Sequence, residues 1–349
     1  MILHYFSGRQ NHIDSMINDA GPEFDLQELA DEYGLGAVAG VRKTRGGAVN
    51  ENWIVRTATG TVVVRKVTRG LSHRDIRFEH SFIKALSRAN FPYRLPQPLR
   101  TRAGRTVVMR NGAYIWVYRY IEGCHSRPCR EAIIVQMAEA MATAHKVAGR
   151  FTLRQPKKTP IALEDPWLVR TLRHWQLKVV GSSDEYCRFF AARVQECIGI
   201  LEQVRCTRYS ALSRLPIHGD MCAANLVFSG ERLSGIIDFD QCCSDTAVRD
   251  VTIALRYECT DGKDLFALDL PAARRFLQVY HRINPLSREE IDLIPLIAMA
   301  DAADLFWWRI FEVVNKRVKA QSIPRLERPF QALQWYNRHQ ERIARALRM

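Results

Sequence analysis

The sequence predicts an α+β fold of two lobes, with a small N-terminal lobe built on an antiparallel sheet and a mainly helical C-terminal lobe. Two observations indicate this division. Segments rich in β-branched and aromatic residues crowd the first third of the chain, whereas apolar residues recur at helical spacing over most of the remainder. A length of 349 residues also suffices for two lobes that share a cleft. We expect the N-terminal lobe at 1–118, a hinge at 119–123 and the C-terminal lobe at 124–349.

The predicted N-terminal lobe begins with a helix over 24–33, where apolar residues have helical spacing before Gly34. Five antiparallel strands follow, at 37–43, 52–57, 61–67, 106–109 and 114–118. A second helix, around 77–86, carries Glu79 and lies between the third and fourth strands. The N-terminal lobe is therefore expected to be one sheet with two helices.

A glycine pair and a basic pair are the candidate phosphate contacts in this lobe. Gly46 and Gly47, followed by Asn50, would allow the backbone to lie close over phosphate groups and to offer amide donors. A plain hairpin turn explains a Gly-Gly pair equally well. In the third strand, alternation places Arg65 and Lys66 on opposite faces, so only one of them can point into a cleft.

Helical periodicity dominates the C-terminal lobe. The predicted helices cover 131–147, 167–180, 184–205, 248–257, 272–281, 288–313 and 326–346. Before the fourth of them, Asn225–Phe228 and Leu233–Phe239 are predicted as two strands joined by a turn at Ser229-Gly230. This hairpin is expected to bring Asp238 back beside the loop that precedes Asn225.

The candidate catalytic and metal-binding residues lie in one stretch of the chain: His218-Gly-Asp220, Asn225 five positions later, and Asp238 after the hairpin. Carboxylate and carboxamide oxygens on two adjacent loops suit Mg²⁺, for which Asn225 and Asp238 are the candidate ligands. Asp220 is the candidate catalytic residue, able to orient a hydroxyl and to accept its proton. This order and spacing indicate transfer of a γ-phosphoryl group from a magnesium nucleotide to a hydroxyl.

The amino-acid composition limits the classes of binding partner and indicates the cellular compartment. The 51 Lys plus Arg exceed the 37 Asp plus Glu by 14, but they are dispersed among acidic residues, which argues against nucleic acid as a partner. No apolar run reaches the length of a membrane span, so no membrane partner is expected. Nine cysteines without a Cys-x-x-Cys pair, and a start that lacks the pattern of an export signal, favour the cytoplasm.

On these residues the chain resembles the aminoglycoside phosphotransferase and choline kinase superfamily, and within it most the homoserine kinase type II branch. The similarity includes Asp250-Val-Thr-Ile-Ala-Leu255 and Asn50-Glu-Asn52, and covers about residues 25–310. The resemblance implies a bilobal, protein-kinase-like fold, ATP or GTP with Mg²⁺ as cofactors, and O-phosphorylation of a small, often amine-bearing molecule. An antibiotic-modifying role fits this resemblance as well as a role in primary metabolism does.

The resemblance also implies roles for individual nucleotide-binding residues. Arg65, with Lys66 as the rival, would contact the phosphates, and Glu79 would form an ion pair with that cation. Backbone groups of Tyr120 and Ile121 at the hinge would hydrogen-bond the adenine edge. In the C-terminal lobe, His218 and Asp250 would hold the catalytic loop in shape, and Asp240 is a lesser candidate for the metal shell.

The acceptor is the least constrained part of the prediction. Homoserine kinase-like chains usually have an asparagine and a tryptophan where this chain has Arg256 and Tyr257, which puts homoserine itself in doubt. Candidate contacts to an amine-bearing acceptor are Asp245, Glu258, Asp304 and Trp308. The alternative function is a catalytically weak, kinase-fold regulatory or nucleotide-binding protein.

Overall fold

The computed structural model describes residues 22–44, 50–68, 71–123, 129–151, 157, 166–204, 207–261, 266–315 and 323–348. Five strands near the N-terminus form one antiparallel sheet, and the chain beyond Arg119 is mostly helical. The α+β class predicted from the sequence is confirmed.

The sheet consists of β1 (Val38–Lys43), β2 (Asn50–Thr57), β3 (Gly60–Val67), β4 (Val108–Arg110) and β5 (Ala113–Arg119), in spatial order β1-β2-β3-β5-β4. Two helices accompany it, α1 (Leu26–Glu32) and α2 (His73–Arg88). A capping box begins α2, because the Ser72 hydroxyl accepts from the Asp75 amide while the Asp75 carboxylate accepts from the Ser72 amide. This cap fixes the start of the helix that carries Glu79.

Alternation along β3 sorts its side chains between two faces of the sheet. Val62 and Val64 enter the apolar core beneath α1. Val63 and Val67 belong to the cluster on the other face, together with Ile76 of α2 and aromatic residues of β5. Arg65 lies between Val63 and Val67 in the strand, so its side chain shares their face and points toward the C-terminal lobe.

The seven predicted helices and the two predicted strands that follow the sheet lie close to their predicted positions, whereas one short helix at 207–210 and two short strands at 215–217 and 243–245 were not predicted. The helices are α3 (Arg130–Ala148), α4 (Trp167–Lys178), α5 (Glu185–Val204), α6 (Thr207–Ser210), α7 (Ala247–Glu258), α8 (Leu270–Ile283), α9 (Arg288–Val314) and α10 (Ile323–Leu347). The strands are β6 (Leu215–Ile217), β7 (Leu226–Ser229), β8 (Arg232–Ile236) and β9 (Cys243–Asp245). Antiparallel pairing of β7 with β8 confirms the predicted hairpin, and β6 pairs with β9.

The core of the helical lobe surrounds α9. This helix is apolar on nearly all sides because α5, α7 and α10 pack around it, and a capping box at Ser287 and Glu290 fixes its start. None of the described helices combines the length and the apolarity that a membrane crossing requires. The loops that follow β6 and β8 thus belong to a lobe with a single, closely packed helical core.

Candidate active site

The loop between β6 and β7 depends on a glycine and on one carboxylate. Gly219 has φ of +78°, and a Cβ there would lie 2.3 Å from the carbonyl oxygen of Gln241, so only glycine fits. The amides of His218 and Gly219 each donate to a carboxylate oxygen of Asp250, both at 2.9 Å. Because Asp250 lies in the first turn of α7, it fastens this loop to the start of that helix.

Asp250 is itself held by a buried chain of hydrogen bonds. Nε2 of His145 donates to Asp250 at 3.0 Å, and the Tyr280 hydroxyl donates to Nδ1 of His145 at 2.7 Å. Asn284 donates to the same hydroxyl at 2.8 Å. Burial acts to raise the pKa of Asp250, but the hydrogen bonds from the His145 side chain and the His218 backbone outweigh it, so this pKa lies below its ordinary value. The carboxylate is therefore charged at neutral pH.

His218 joins the loop before β7 to the end of β8. Its Nδ1 accepts from the Asp220 amide at 3.3 Å, and its Nε2 donates to the carbonyl oxygen of Ile237 at 3.1 Å. These contacts require the neutral ring, and burial lowers the pKa of His218 accordingly. In this arrangement His218 is a structural link with both ring nitrogens occupied.

Asp220 and Asn225 lie together at the end of this loop. Nδ2 of Asn225 donates to the carbonyl oxygen of Asp220 at 2.8 Å and lies 3.4 Å from its Oδ2. The Ile237 amide donates to the carbonyl oxygen of Asn225 at 2.9 Å, which brings Asp238 alongside. Burial, reinforced by the negative charge of Asp238, raises the pKa of Asp220 to about 8. The three oxygen-bearing side chains predicted from the motif are thus brought together.

Asp238 faces the cation of the sheet lobe. Its φ of +64° is a left-handed conformation that non-glycine residues rarely adopt and that recurs at functional sites. Oδ1 of Asp238 accepts from Nη2 of Arg65 at 2.8 Å. The same guanidinium nitrogen pairs with Asp240, which also accepts from the Asn50 side-chain amide. Arg65, Asn50 and the two carboxylates therefore join the sheet to the loop after β8.

The expected direct ion pair between Arg65 and Glu79 is absent from the described residues, although the two charges still attract each other. Arg65 directs its guanidinium to Asp238 and Asp240, and the described residues include no Arg65–Glu79 pair. Glu79 remains buried with Oε1 lacking a hydrogen-bond partner, and burial together with the charge of Asp240 raises its pKa to about 8. The physical reason is that two carboxylates of the opposite lobe outcompete one helix carboxylate for a single cation.

Two lysines flank this cluster. Lys66, the rival of Arg65, lies on the opposite face and pairs with Glu51 at 3.0 Å. Lys157, which the sequence analysis did not single out, donates from Nζ to the carbonyl oxygen of Asp240 at 2.6 Å, while its own carbonyl accepts from the Ser244 amide at 2.7 Å. A single lysine in a polar, proline-bearing stretch has no motif or spacing from which its contact with Asp240 could be predicted.

The hinge candidates lie between the sheet and the β7–β8 hairpin. The Tyr120 amide donates to the carbonyl oxygen of Thr61 at 3.1 Å, which leaves its carbonyl and the backbone of Ile121 as the candidate adenine contacts. Ile121 is buried, and its Cγ2 would lie 2.8 Å from a Cβ placed at Gly235. The predicted phosphate cover at 46–47 lies outside the described residues.

One of the four acceptor candidates is contradicted. Asp245 is fully buried, and its oxygens accept from the Tyr209 hydroxyl at 2.7 Å, from Arg214 at 3.0 Å and from Arg249. It cannot contact a substrate, because its partners already enclose it. The expectation failed because two of these partners lie 36 and 31 positions earlier in the chain, where no local pattern links them to Asp245.

The other three candidates lie nearer to Asp220 or on α9. Oε1 of Glu258 accepts from the Ala223 amide at 2.8 Å, within the loop that carries Asp220. Asp304 and Trp308 are half-buried on α9, and the Trp308 ring lies 5.7 Å from the ring of Phe311. Their contact with a substrate stays a prediction.

The donor set fits a hard divalent cation. Asn225 and Asp238 offer carboxamide and carboxylate oxygens, which Mg²⁺ and Ca²⁺ prefer. The buried Oδ1 of Asp220 has no hydrogen-bond partner in the described part of the chain, as expected of an atom that faces a ligand. These observations fit a metal nucleotide held between Arg65 and the two loops.

Comparison with known proteins agrees with this geometry. The model of a family described as "Phosphotransferase enzyme family" matches residues 40–286. A homoserine kinase from Brucella anthropi is 26% identical over 293 residues, which cover 84% of this chain and 85% of the relative. A homoserine kinase from Rhodopseudomonas palustris is 25% identical over 319 residues, covering 90% and 92%. The resemblance to the homoserine kinase-like branch is confirmed.

Solved structures show the same fold at lower identity. A microcompartment-associated aminopropanol kinase has a TM-score of 0.64 and 16% identity, with 91% of this chain and 97% of that chain covered. Amicoumacin kinase in complex with AMP-PNP, Ca²⁺ and Ami has a TM-score of 0.62 and 16% identity, with 91% and 94% covered. The family match spans more than half of the sequence. The chain therefore belongs to the phosphotransferase enzyme family, as a kinase whose acceptor is a hydroxyl group.

Proposed function

We propose that the protein transfers the γ-phosphoryl group of ATP, with Mg²⁺, to a hydroxyl of a small, amine-bearing molecule. The observation that carries the proposal is the convergence of Asp220, Asn225 and Asp238 opposite Arg65. The relatives and structural neighbours of this chain include kinases named for homoserine, aminopropanol and amicoumacin, and homoserine and aminopropanol both carry an amine and a hydroxyl group.

In this proposal each residue has a separate task. Asp220 accepts a hydrogen bond from the acceptor hydroxyl and holds that hydroxyl in line with the γ-phosphate. Because the hydroxyl stays largely protonated until the transition state, the Asp220 carboxylate accepts its proton only late in the reaction. Asn225 and Asp238 hold Mg²⁺, which neutralises phosphate charge when bound. Arg65, freed from Asp238, donates to phosphate oxygens, and Glu79 then offers it a second partner.

The nucleotide-side residues complete the proposal. Asn50 supports the loop, and the hinge backbone at Tyr120 and Ile121 recognises the base. The phosphate contact expected from the sequence at 46–47 belongs to the same proposal. All seven cysteines that the structure describes are free, which is typical of a reducing compartment and supports a cytoplasmic location.

The proposal covers both an antibiotic-modifying role and a biosynthetic role, because both roles use phosphoryl transfer to a hydroxyl.

Two substitutions test the assignment with ADP release and nucleotide binding as separate readouts. Asp220→Asn should lower kcat by about 1000-fold or more while Mg²⁺-ATP affinity changes little, because Asp220 acts on the acceptor. Asp238→Ala should instead abolish the Mg²⁺-dependent part of ATP binding. Acceptor panels of amino alcohols, aminoglycosides and hydroxy amino acids would supply the turnover assay.

The control is Asp292→Asn, at an exposed pair with Arg348 on α9, which should leave both readouts unchanged. Unaltered ADP release in Asp220→Asn would contradict the catalytic assignment. Mg²⁺-ATP binding without any acceptor-dependent turnover would favour the regulatory, nucleotide-binding alternative.

A further inference from the structure

The catalytic loop between β6 and β7 contacts α7 at both of its ends. At the start of the loop, the amides of His218 and Gly219 donate to Asp250, which lies in the first turn of α7. At the end of the loop, the Ala223 amide donates at 2.8 Å to Oε1 of Glu258, the last residue of α7. Carboxylates from the two ends of one helix therefore bind the two ends of the loop.

An apolar contact lies between these two polar ones. Cys222 of the loop is fully buried and forms a small cluster with Ile253 and Tyr257, both on α7. The loop therefore follows α7 along most of its length, and the last of its contacts with this helix is the one made by Glu258.

The contact with Glu258 fixes the turn that carries Asn225. This 3₁₀ turn covers Ala223–Asn225, and the Asn225 amide donates to the carbonyl oxygen of Cys222 at 2.9 Å. The bond between the Ala223 amide and Glu258 is buried, and the two residues are 5% and 9% exposed. A buried amide that lost its acceptor would be costly, so the turn would have to move. The position of the Asn225 side chain therefore depends on Glu258.

Arg130 holds the backbone of Glu258 in place. It is the first residue of α3, and its Nε donates to the carbonyl oxygen of Glu258 at 3.0 Å, while Nη2 donates to that of Thr260 at 2.5 Å. Its Nη1 pairs with Asp269 at 3.0 Å. These bonds satisfy carbonyl groups that the end of a helix leaves without an intrahelical partner. The end of α7 is thus fixed from α3, and the Glu258 carboxylate is directed at the loop.

We propose that Glu258 is a positioning residue for the metal ligand Asn225, and not a contact of the acceptor. By accepting from the Ala223 amide, it sets where the carboxamide oxygen of Asn225 meets the cation. The inference rests on the proposed function, in which Asn225 binds Mg²⁺. Groups that orient a ligand from behind affect metal affinity nearly as strongly as the ligands do.

The proposed role depends on the reach of the side chain and not on its charge. In Glu258→Gln, a carbonyl oxygen remains at the same distance from the backbone and can accept from the Ala223 amide. In Glu258→Asp, the charge remains but the side chain is one methylene shorter, so the bond cannot form unless the turn moves. A role in binding a substrate amine predicts the opposite order, because it requires the charge.

Calorimetric titrations of ATP binding at several Mg²⁺ concentrations test this order. Glu258→Asp should weaken the apparent affinity for Mg²⁺ by about 30-fold, in the range typical of residues that support a metal ligand. Glu258→Gln should weaken it by less than about five-fold, since a neutral hydrogen bond replaces a charged one. Glu341→Asp and Glu341→Gln, at an exposed position of α10, are the matched controls and should change nothing.

A second readout needs neither metal nor nucleotide. Hydrogen exchange of the segment 219–226, followed by mass spectrometry in the metal-free protein, should be faster in Glu258→Asp than in the unsubstituted protein or in Glu258→Gln. This measurement reports the hold on the loop directly.

Three results would overturn the proposal: unchanged Mg²⁺ affinity in Glu258→Asp, a greater loss of that affinity in Glu258→Gln than in Glu258→Asp, or equal exchange of the segment in all proteins. A higher acceptor KM in Glu258→Gln at unchanged Mg²⁺ affinity would also overturn it and identify a substrate contact. If the unsubstituted protein showed no Mg²⁺-dependent ATP binding, the metal assignment under the proposed function would fail instead. Hydrogen exchange would then still decide whether Glu258 holds the loop.

Discussion

Gly219 shows how a single residue sets the geometry of the catalytic loop. An alanine there would need a left-handed backbone and would place its Cβ against the Gln241 carbonyl, so the loop must shift. Displacement of Asp220 by about 1 Å lowers kcat by about 100-fold. We therefore expect Gly219→Ala to lose at least that much ADP-release activity.

Gly230 provides the matched control for this prediction. It has φ of +60°, but a Cβ there would meet nothing within 4 Å. Gly230→Ala should cost about 1 kcal/mol of unfolding free energy through backbone strain alone and keep its turnover. A similar loss of activity in both variants would show that Gly219 matters through general stability and not through the position of Asp220.

Single residues were predictable from the sequence where the chemistry was local. Asp220, Asn225 and Asp238 are separated by a short loop and one hairpin, so their convergence follows from strand pairing. Alternation in β3 required that only one of Arg65 and Lys66 point into the cleft, and the family resemblance favoured Arg65. Asp245 was misjudged because its partners come from distant parts of the chain, and the direct partners of Arg65 could not be predicted because Asp238 and Asp240 are also distant from it in sequence.

At the scale of elements, the predicted helices and strands agree with the structure to within a few residues. Their ends follow from local chemistry, such as the capping boxes that start α2 and α9. The clearest difference is the end of β8, which stops at Ile236 because Asp238 turns into a left-handed conformation. Propensity and periodicity carry no information on a backbone turn that serves the site.

The attachment of the catalytic loop to α7 is an element-scale prediction. Asp250→Asn keeps the shape of the side chain but replaces one acceptor oxygen by a donor, which would face the amide of His218 or Gly219 or Nε2 of His145. We expect a loss of about 3 kcal/mol in the free energy of unfolding, measured by urea denaturation, because a buried and fully satisfied carboxylate is disrupted.

Asp292→Asn is the control for this effect. Asp292 pairs with Arg348 at 2.7 and 2.8 Å, but both side chains are partly exposed, so its loss should cost less than about 1 kcal/mol. An Asp250→Asn protein as stable as Asp292→Asn would mean that the loop is held by other contacts. A stable Asp250→Asn protein that still loses turnover would assign Asp250 to positioning alone.

At the scale of the whole molecule, the lobes meet through charges that no local pattern predicts. Arg65 and Asp238 are 173 positions apart in the chain, and Asn50 and Asp240 are 190 apart. The family resemblance predicted that the sheet lobe and the loops would face each other. It did not predict that Arg65 would pair with both carboxylates, because that choice depends on the three-dimensional competition with Glu79.

The acid stability of the whole molecule depends in part on His80. This residue is buried against Trp116, and burial, followed by the positive charges of Arg65 and His73, lowers its pKa to about 3. The unfolded chain keeps a pKa near 6.5 at this position, so between pH 6.5 and pH 3 the unfolded state binds more protons. The stabilising contribution is complete above pH 6.5 and is lost as the pH falls, by up to about 1.4 kcal/mol per pH unit.

Urea denaturation at pH 6.5, 5.5 and 4.5 measures this contribution. The unsubstituted protein should lose unfolding free energy across the series, also because its net charge of +14 at pH 7 grows on acidification. His80→Gln should be less stable at pH 6.5 but should lose about 1 kcal/mol less per pH unit, because its buried group cannot titrate. His174→Gln, at an exposed position of α4, should follow the unsubstituted protein throughout. Parallel pH profiles for His80→Gln and the unsubstituted protein would mean that His80 is accessible to protons in the folded state.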